Sequence, residues 1–265
     1  MYKGDFVSLP IIENMRIKYI LLYLLIGTGL LTSCAPTIEP PVDMGYNYIP
    51  IDTGRYYIYD VDSIYIDIIA DPDINDTTHY QIKETYPSTF IDGMGETAIN
   101  VTRYYRSDST QAWVLMTPDV WWLKRTTTRL EKREENLTFV KMTYPIDKTY
   151  TWDGNAYNTL GTQDYYYGDE DISFDNGFEL FDSTITVYQQ FDTSSLIQYY
   201  LFTETYARNR GMVHKFEINI TDLILDTTEI SPWPYPGLNW YMVPKLKRIR
   251  TGSWVEYKLI DDGFE

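Results

Sequence analysis

The residues able to do chemistry are few and scattered. His79 and His214 are the only imidazoles in the 265-residue chain, and they would have to meet to share a zinc ion or to act as an acid–base pair. A metal site needs three or four converging ligands, and no His, Cys, Asp or Glu cluster with ligand spacing accompanies either histidine. The stretch Asp169-Glu170-Asp171-Ile172-Ser173-Phe174-Asp175-Asn176-Gly177 sets oxygens at alternating positions (Asp169, Asp171, Ser173, Asp175), as calcium loops do. A calcium loop starting at Asp171 would want glycine where Asn176 stands and glutamate where Asp182 stands, so the expectation is a solvated acidic loop with weak calcium binding at most. Carboxylates abound, but abundance does not set two of them across one bond. The chain has no G-x-S-x-G elbow, phosphate loop, H-E-x-x-H or dinucleotide fingerprint. No catalytic residue is assigned, no cofactor is expected, and the chain reads as a non-enzyme.

Aromatic residues are the excess worth explaining: 26 Tyr, 10 Phe and 7 Trp. Tyrosine and tryptophan join a flat apolar face to a polar handle, which suits contacts with sugars, peptides and proteins. Pro232-Trp233-Pro234-Tyr235-Pro236-Gly237-Leu238-Asn239-Trp240 reads as a stiff loop presenting Trp233, Tyr235 and Trp240. Trp121 and Trp122 are adjacent in a strand, so their rings face opposite sides and one of them could line a groove. The competing expectation for all five is packing across strands and over a core edge.

The remaining reactive group is Cys34, the only cysteine. Met15-Arg16-Ile17-Lys18 supplies a basic start, and the apolar run Ile20–Leu31 is well short of the roughly 20 residues that span a bilayer. Leu31-Thr32-Ser33-Cys34 then resembles the bacterial lipobox, in which the peptide before the cysteine is cut and the thiol is diacylated. Residues 1–33 are therefore read as a signal peptide, with 1–14 an over-extended start. Residues 34–45 are read as a lipidated cysteine plus a proline-rich tether, extended at about 3.1 Å per residue. More than one acyl chain anchors stably, so the membrane is one expected partner. Processing leaves 19 basic and 36 acidic residues, a net charge of −17. Such a body repels nucleic acid and does not lie flat on anionic lipid.

From Tyr46 onward the pattern is period two, rich in Tyr, Ile, Thr and Val and punctuated by turn residues. The fold class is all-β: antiparallel sheets in a sandwich or strongly curved half-barrel over residues 46–265, with no long helix after the signal peptide. Strands are expected at 55–68, 78–86, 96–105, 120–126, 129–134, 137–144, 184–191 and 197–207. Phe216, Ile218 and Ile220 alternate with Lys215, Glu217 and Asn219, and Val255, Tyr257 and Leu259 with Glu256 and Lys258, giving two more half-buried strands. Arg129–Asn136 is too short for a stable helix and reads as a hairpin. Pro50-Ile51-Asp52 before Tyr56-Tyr57 echoes Pro145-Ile146-Asp147 before Tyr150 and Trp152, 95 residues on. This would mark two similar lobes joined near 145.

Taken together, the lipobox, Gly54–Val61, Lys141–Ile146, Trp152–Asn158 and Tyr206–Val213 resemble a group of uncharacterised cell-envelope lipoproteins of Bacteroidota-type bacteria. The resemblance implies lipidation at Cys34 and an outer-membrane location. Ala35-Pro36-Thr37-Ile38 lacks the acidic run that exports such lipoproteins to the surface, which leaves both a periplasm-facing and a surface position open. Asp62-Ser63-Ile64, Asp76-Thr77-Thr78, Asp108-Ser109-Thr110, Asp182-Ser183-Thr184 and Asp226-Thr227-Thr228 resemble the O-glycosylation pattern of these bacteria. The leading expectation is a binding or structural lipoprotein with an envelope protein as partner. The alternatives are a lipid carrier with a curved sheet and a glycan-binding surface module built on the Trp233–Trp240 loop.

Overall fold

The computed structural model describes residues 18–19, 41–70, 72–116, 120–229, 232 and 234–265. The signal peptide's apolar run, Cys34, the first part of the tether and Trp233 lie outside the described residues. Asp43–Glu265 forms one compact unit. Its strands are β1 (Arg55–Asp67), β2 (Ile74–Thr85), β3 (Thr89–Ile91), β4 (Thr97–Arg106), β5 (Val114–Leu115), β6 (Trp121–Arg125), β7 (Arg129–Glu134), β8 (Leu137–Thr143), β9 (Thr151–Asp153), β10 (Asp164–Asp175), β11 (Leu180–Asp192), β12 (Tyr199–Ala207), β13 (Gly211–Leu223) and β14 (Ile249–Phe264). The alternating β-branched and aromatic residues that predict an all-β chain form an antiparallel sheet in the order β8-β7-β6-β4-β2-β1-β14-β13-β12-β11-β10-β9, with β3 and β5 beside β4. The strands of this path follow chain order within each half, β1 to β8 and β9 to β14, with β1 pairing β14, so the path is an up-and-down meander curled into a barrel whose two ends are β8 and β9.

The two ends of the path meet at a thin seam. Thr138 bridges Tyr157, the amide of Val140 donates to the carbonyl of Gly154, and the indole of Trp152 donates to the carbonyl of Val140. Gly154 has to be a glycine here, because a Cβ would lie 2.3 Å from the ring of Tyr165. The residues echoed at 50–52 and 145–147 lead into β1 and β9, each the first strand of a six-strand half of the meander.

A twelve-strand barrel encloses more space than small side chains fill, and tyrosines fill it. Tyr57, Tyr59, Tyr86, Tyr144, Tyr165, Tyr167 and Tyr206 are all buried in the main core with Trp152, Leu130, Ile185 and Leu259. The outward positions of the wall carry charges such as Asp60, Lys83 and Arg106. Apolar inside and charged outside is the reverse of a transmembrane barrel.

Strand lengths are uneven. β6, β7 and β8 have five to seven residues, whereas β1, β11 and β13 have 13 and β14 has 16. β1, β11 and β13 are therefore at least six residues longer than these, about 20 Å at ~3.3 Å per residue. In the second half of β13 the apolar set is buried, as its alternation predicts, on the face away from the lumen. Ile218 and Ile220 do not face the lumen. They form a second core with Leu223 and Ile249, while Lys215 and Glu217 share the lumen side with Glu204 and Tyr257. The connection from β13 to β14, whose Arg248 guanidinium donates to the carbonyls of Val243 and Ile224, follows directly on this second core.

Candidate functional site

Where β7 and β8 stop and the long strands continue, the lumen opens into a cavity of about 300 Å³. The step is set by a two-residue hairpin at Glu135 and Asn136, both with positive φ, the backbone a tight hairpin demands. Glu134 and Leu137 flank that turn and line the cavity. Lys132 and Phe139 stand behind them, Trp121 of β6, Arg103 of β4 and Glu84 of β2 form one wall, and Glu204, Lys215, Glu217 and Tyr257 of the long strands form the other.

The charges of this layer are interleaved. Lys141, 3% exposed at its side chain, pairs with Glu204, 2% exposed, at 2.8 Å and with Glu134 at 3.4 Å. The hydroxyl of Tyr206 donates to the other oxygen of Glu204 at 2.5 Å. Lys132 lies 3.3 Å from Glu134 and 3.5 Å from Glu84. Arg103 sits 3.2 Å from Glu84, and Lys215 lies 2.9 Å from Glu217. Each cation also rests on an aromatic ring: Arg103 and Lys132 on Trp121 at 4.2 and 5.2 Å, Lys141 on Phe139 at 5.2 Å, and Lys215 on Tyr257 at 5.6 Å. Burial alone would neutralise the inner groups. It is outweighed for Lys141, which Glu134 and Glu204 hold above the usual ammonium range, and for Glu204, which Lys141 and Lys215 hold below the usual carboxylate range. The Lys141–Glu204 pair is held in its charged form.

Of the aromatic candidates, Trp121 lines this cavity. Trp122 faces the other side of β6, with Lys124 5.8 Å from its ring. Tyr235 donates to the carbonyl of Lys247 and Trp240 lies under Arg248 at 5.2 Å, both in the β13–β14 connection. These two are not brought to the cavity.

Asp169, Asp171, Ser173 and Asp175 lie in β10, not in a loop, and the pairing of β10 with β11 shifts register three times across them. Asp171 (φ 56) accepts from Arg208 at 2.8 Å and from the hydroxyls of Tyr48 and Ser183. Arg208 holds its carboxyl well below the usual range. Asp169 meets Lys148 at 3.1 Å, and Asp175 accepts from the amide of Gly177. Arg208 also reaches Asp43 and Asn47, so the cluster ties the incoming chain to the barrel. Among the described residues, no three His, Cys, Asp or Glu side chains group to hold a metal ion.

His79 and His214 share the outer face but sit on β2 and β13, with β1 and β14 between them. That is about 14 Å at ~4.8 Å per strand, too far to share a metal. His79 contacts Asp62 and Asp60, and His214 contacts Glu256. Of the Asp-Ser/Thr motifs, Thr77 and Ser109 are exposed, whereas Thr184 is buried and the hydroxyl of Ser183 is engaged by Asp171.

No protein-family model matches the chain, and no curated protein matches it. Among solved structures it is similar to a Bacteroides fragilis protein inferred to be exported, with a YmcC-like fold, at TM-score 0.37 and 10% identity over 81% of this chain and 98% of that one. It is also similar to a Parabacteroides distasonis protein inferred to be a lipoprotein, at TM-score 0.34 and 9% identity over 82% of this chain and 98% of the other.

Proposed function

We propose that this chain is a lipid-anchored outer-membrane protein that acts by binding, with the cavity at the step of its barrel as the binding site. The observation that carries the reading is the charged, partly open layer inside an otherwise filled lumen. Burying paired charges costs more desolvation than packing apolar side chains of similar volume in the same place, so this layer is poor material for a core and good material for a site. A lipid carrier is not favoured, because tyrosines fill the apolar lumen and most of the residues lining the space left over are Glu, Lys and Arg. The glycan platform loses support where Tyr235 and Trp240 turn toward the β13–β14 connection. The lipobox at Cys34 and the proline-rich tether supply the anchor.

Two measurements on the full-length chain test this reading. Radiolabelled palmitate should mark the protein and fractionate with outer membranes, and Cys34→Ala should lose both label and membrane association. Native mass spectrometry of the lipidated protein should find a small polar molecule bound. A Cys34→Ala protein that still sediments with membranes contradicts the anchor, and a bound lipid in place of a polar molecule contradicts the site.

A further inference from the structure

The cavity's charge pattern says what class of molecule fits. Arg103, Lys132 and Lys215 share the lining with Glu84, Glu134, Glu135, Glu204 and Glu217, and Lys141 stands behind them on Glu204, so both signs of charge face the space. A ligand bearing charge of one sign only would leave lining groups of that same sign without a partner in a partly desolvated space, which is costly. The aromatic faces are already covered by cations, so no ring is offered for stacking a sugar or an apolar group.

The pairs also differ in tightness. Lys141 and Glu204 close to 2.8 Å, a normal charge-assisted hydrogen bond. Lys132 stands 3.3 and 3.5 Å from its two carboxylates. The Nε of Arg103 is buried without an aligned acceptor, although Glu84 is 3.2 Å away. Both cations line the cavity through contacts looser than that of Lys141, so a carboxylate entering between them meets the weaker pairs of the layer. Across the space, Glu217 is 32% exposed, Glu134 flanks the rim turn and the exposed Glu135 lies in it.

We infer that the cavity takes a small zwitterion, a free amino acid or a short peptide, with its carboxylate between Arg103 and Lys132 and its ammonium toward Glu134 and Glu217. This rests on the binding reading above and names its ligand class. A volume near 300 Å³ holds one or two residues of such a ligand.

Calorimetric titration of the mature lipidated chain in detergent tests it, with glycine, leucine and dialanine as zwitterions. The comparison probes are N-acetyl-dialanine, dialanine amide, the doubly blocked N-acetyl-dialanine amide, and glucose. At least one zwitterion should bind, and dialanine should bind about tenfold or more tighter than each blocked form, because a site built to pair a charge is left unpaired by its absence. Leu137→Trp should fill the mouth and abolish binding with an unchanged circular dichroism spectrum. Arg103→Lys keeps the charge but loses the planar fork, and should weaken dialanine about tenfold. Blocked forms binding as well as dialanine would overturn the zwitterion, as would binding unaffected by both variants. Glucose binding alone would overturn the ligand class while the binding reading stands. No heat from any probe would overturn both. Should Leu137→Trp fail to fold, the blocked series and Arg103→Lys decide.

Discussion

Glu131 and Lys132 follow one another in β7 and face opposite sides of the barrel wall, and the two charge clusters they join are built differently. On the outer side, Lys124 is 4% exposed and touches Asp92, Glu96 and Glu131 at 2.8, 2.9 and 3.1 Å. Asp92 also accepts the amides of Met94 and Glu96, so the cluster pins the β3–β4 turn down onto β6 and β7. On the inner side, Lys132 joins a layer of mixed charge whose pairs range from 2.8 to 3.5 Å around an open space. Charges that hold a loop close fully on one another. The inner charges are instead spaced around a cavity.

The largest effect separating the two clusters is expected at Lys124. Lys124→Met leaves three carboxylates around a buried apolar side chain and should cost on the order of 3 kcal/mol in urea unfolding, whereas Arg103→Lys on the inner side should cost less than about 1 kcal/mol. The outer cluster should also show in acid. Hydrogen bonding from Lys124, then from the amide of Glu96, lowers Asp92 to about 2. A depressed carboxyl stabilises the fold above its unfolded value of about 4 and loses that contribution as pH falls toward 2. Acid unfolding followed by tryptophan fluorescence should steepen in that window, and Lys124→Met should flatten it.

A smaller effect is expected where the chain enters the barrel. Arg208→Met removes pairs to Asp43, Glu170 and Asp171 that are partly exposed, so the expected loss is about 1 kcal/mol, read from the urea midpoint. The smallest effect is on the outer face. The hydrogen bond to Asp62 raises the pKa of His79, while burial lowers that of His214. The His79 contribution is complete below the unfolded value and fades as pH rises through the folded one. The His214 contribution is complete above the unfolded value and is lost as pH falls below it. The two act on stability in opposite directions with pH, and imidazole NMR titration should place His79 above 6.5 and His214 below it.

Much of the wall was legible in the sequence. Alternation located β1, β2, β4, β6, β7, β8, β11 and β12 to within a few residues, and the short polar run Arg129–Asn136 was readable as a hairpin because it is too short to hold a helix. β10 was missed, since its bulges break the alternation that marks a strand. Alternation shows which residues share a face but not which face points inward. In β14 the apolar set Tyr257 and Leu259 does face the lumen, whereas in β13 the apolar set Ile218 and Ile220 faces a second core. The site itself was nearly invisible. Lys132, Glu134, Glu204, Lys215 and Glu217 read as solvent-facing because charged side chains are rarely buried, and only closure of the barrel brings these charges of β7, β12 and β13 into one layer. Trp121 was legible as half of a pair, and its parity with buried Leu123 tells the lumen-facing ring from Trp122.

The central claim is that the inner charged layer serves a ligand and not the stability of the barrel. Its most direct test is urea unfolding of the lipidated chain carrying Glu84→Met, Arg103→Met and Lys132→Met together. Replacing a buried ionic group with apolar side chains of similar volume is often neutral or stabilising by roughly 1–4 kcal/mol. The account predicts a midpoint equal to or above that of the natural chain, together with lost dialanine binding. A loss of more than about 2 kcal/mol would make the layer part of the fold's own support and would contradict it.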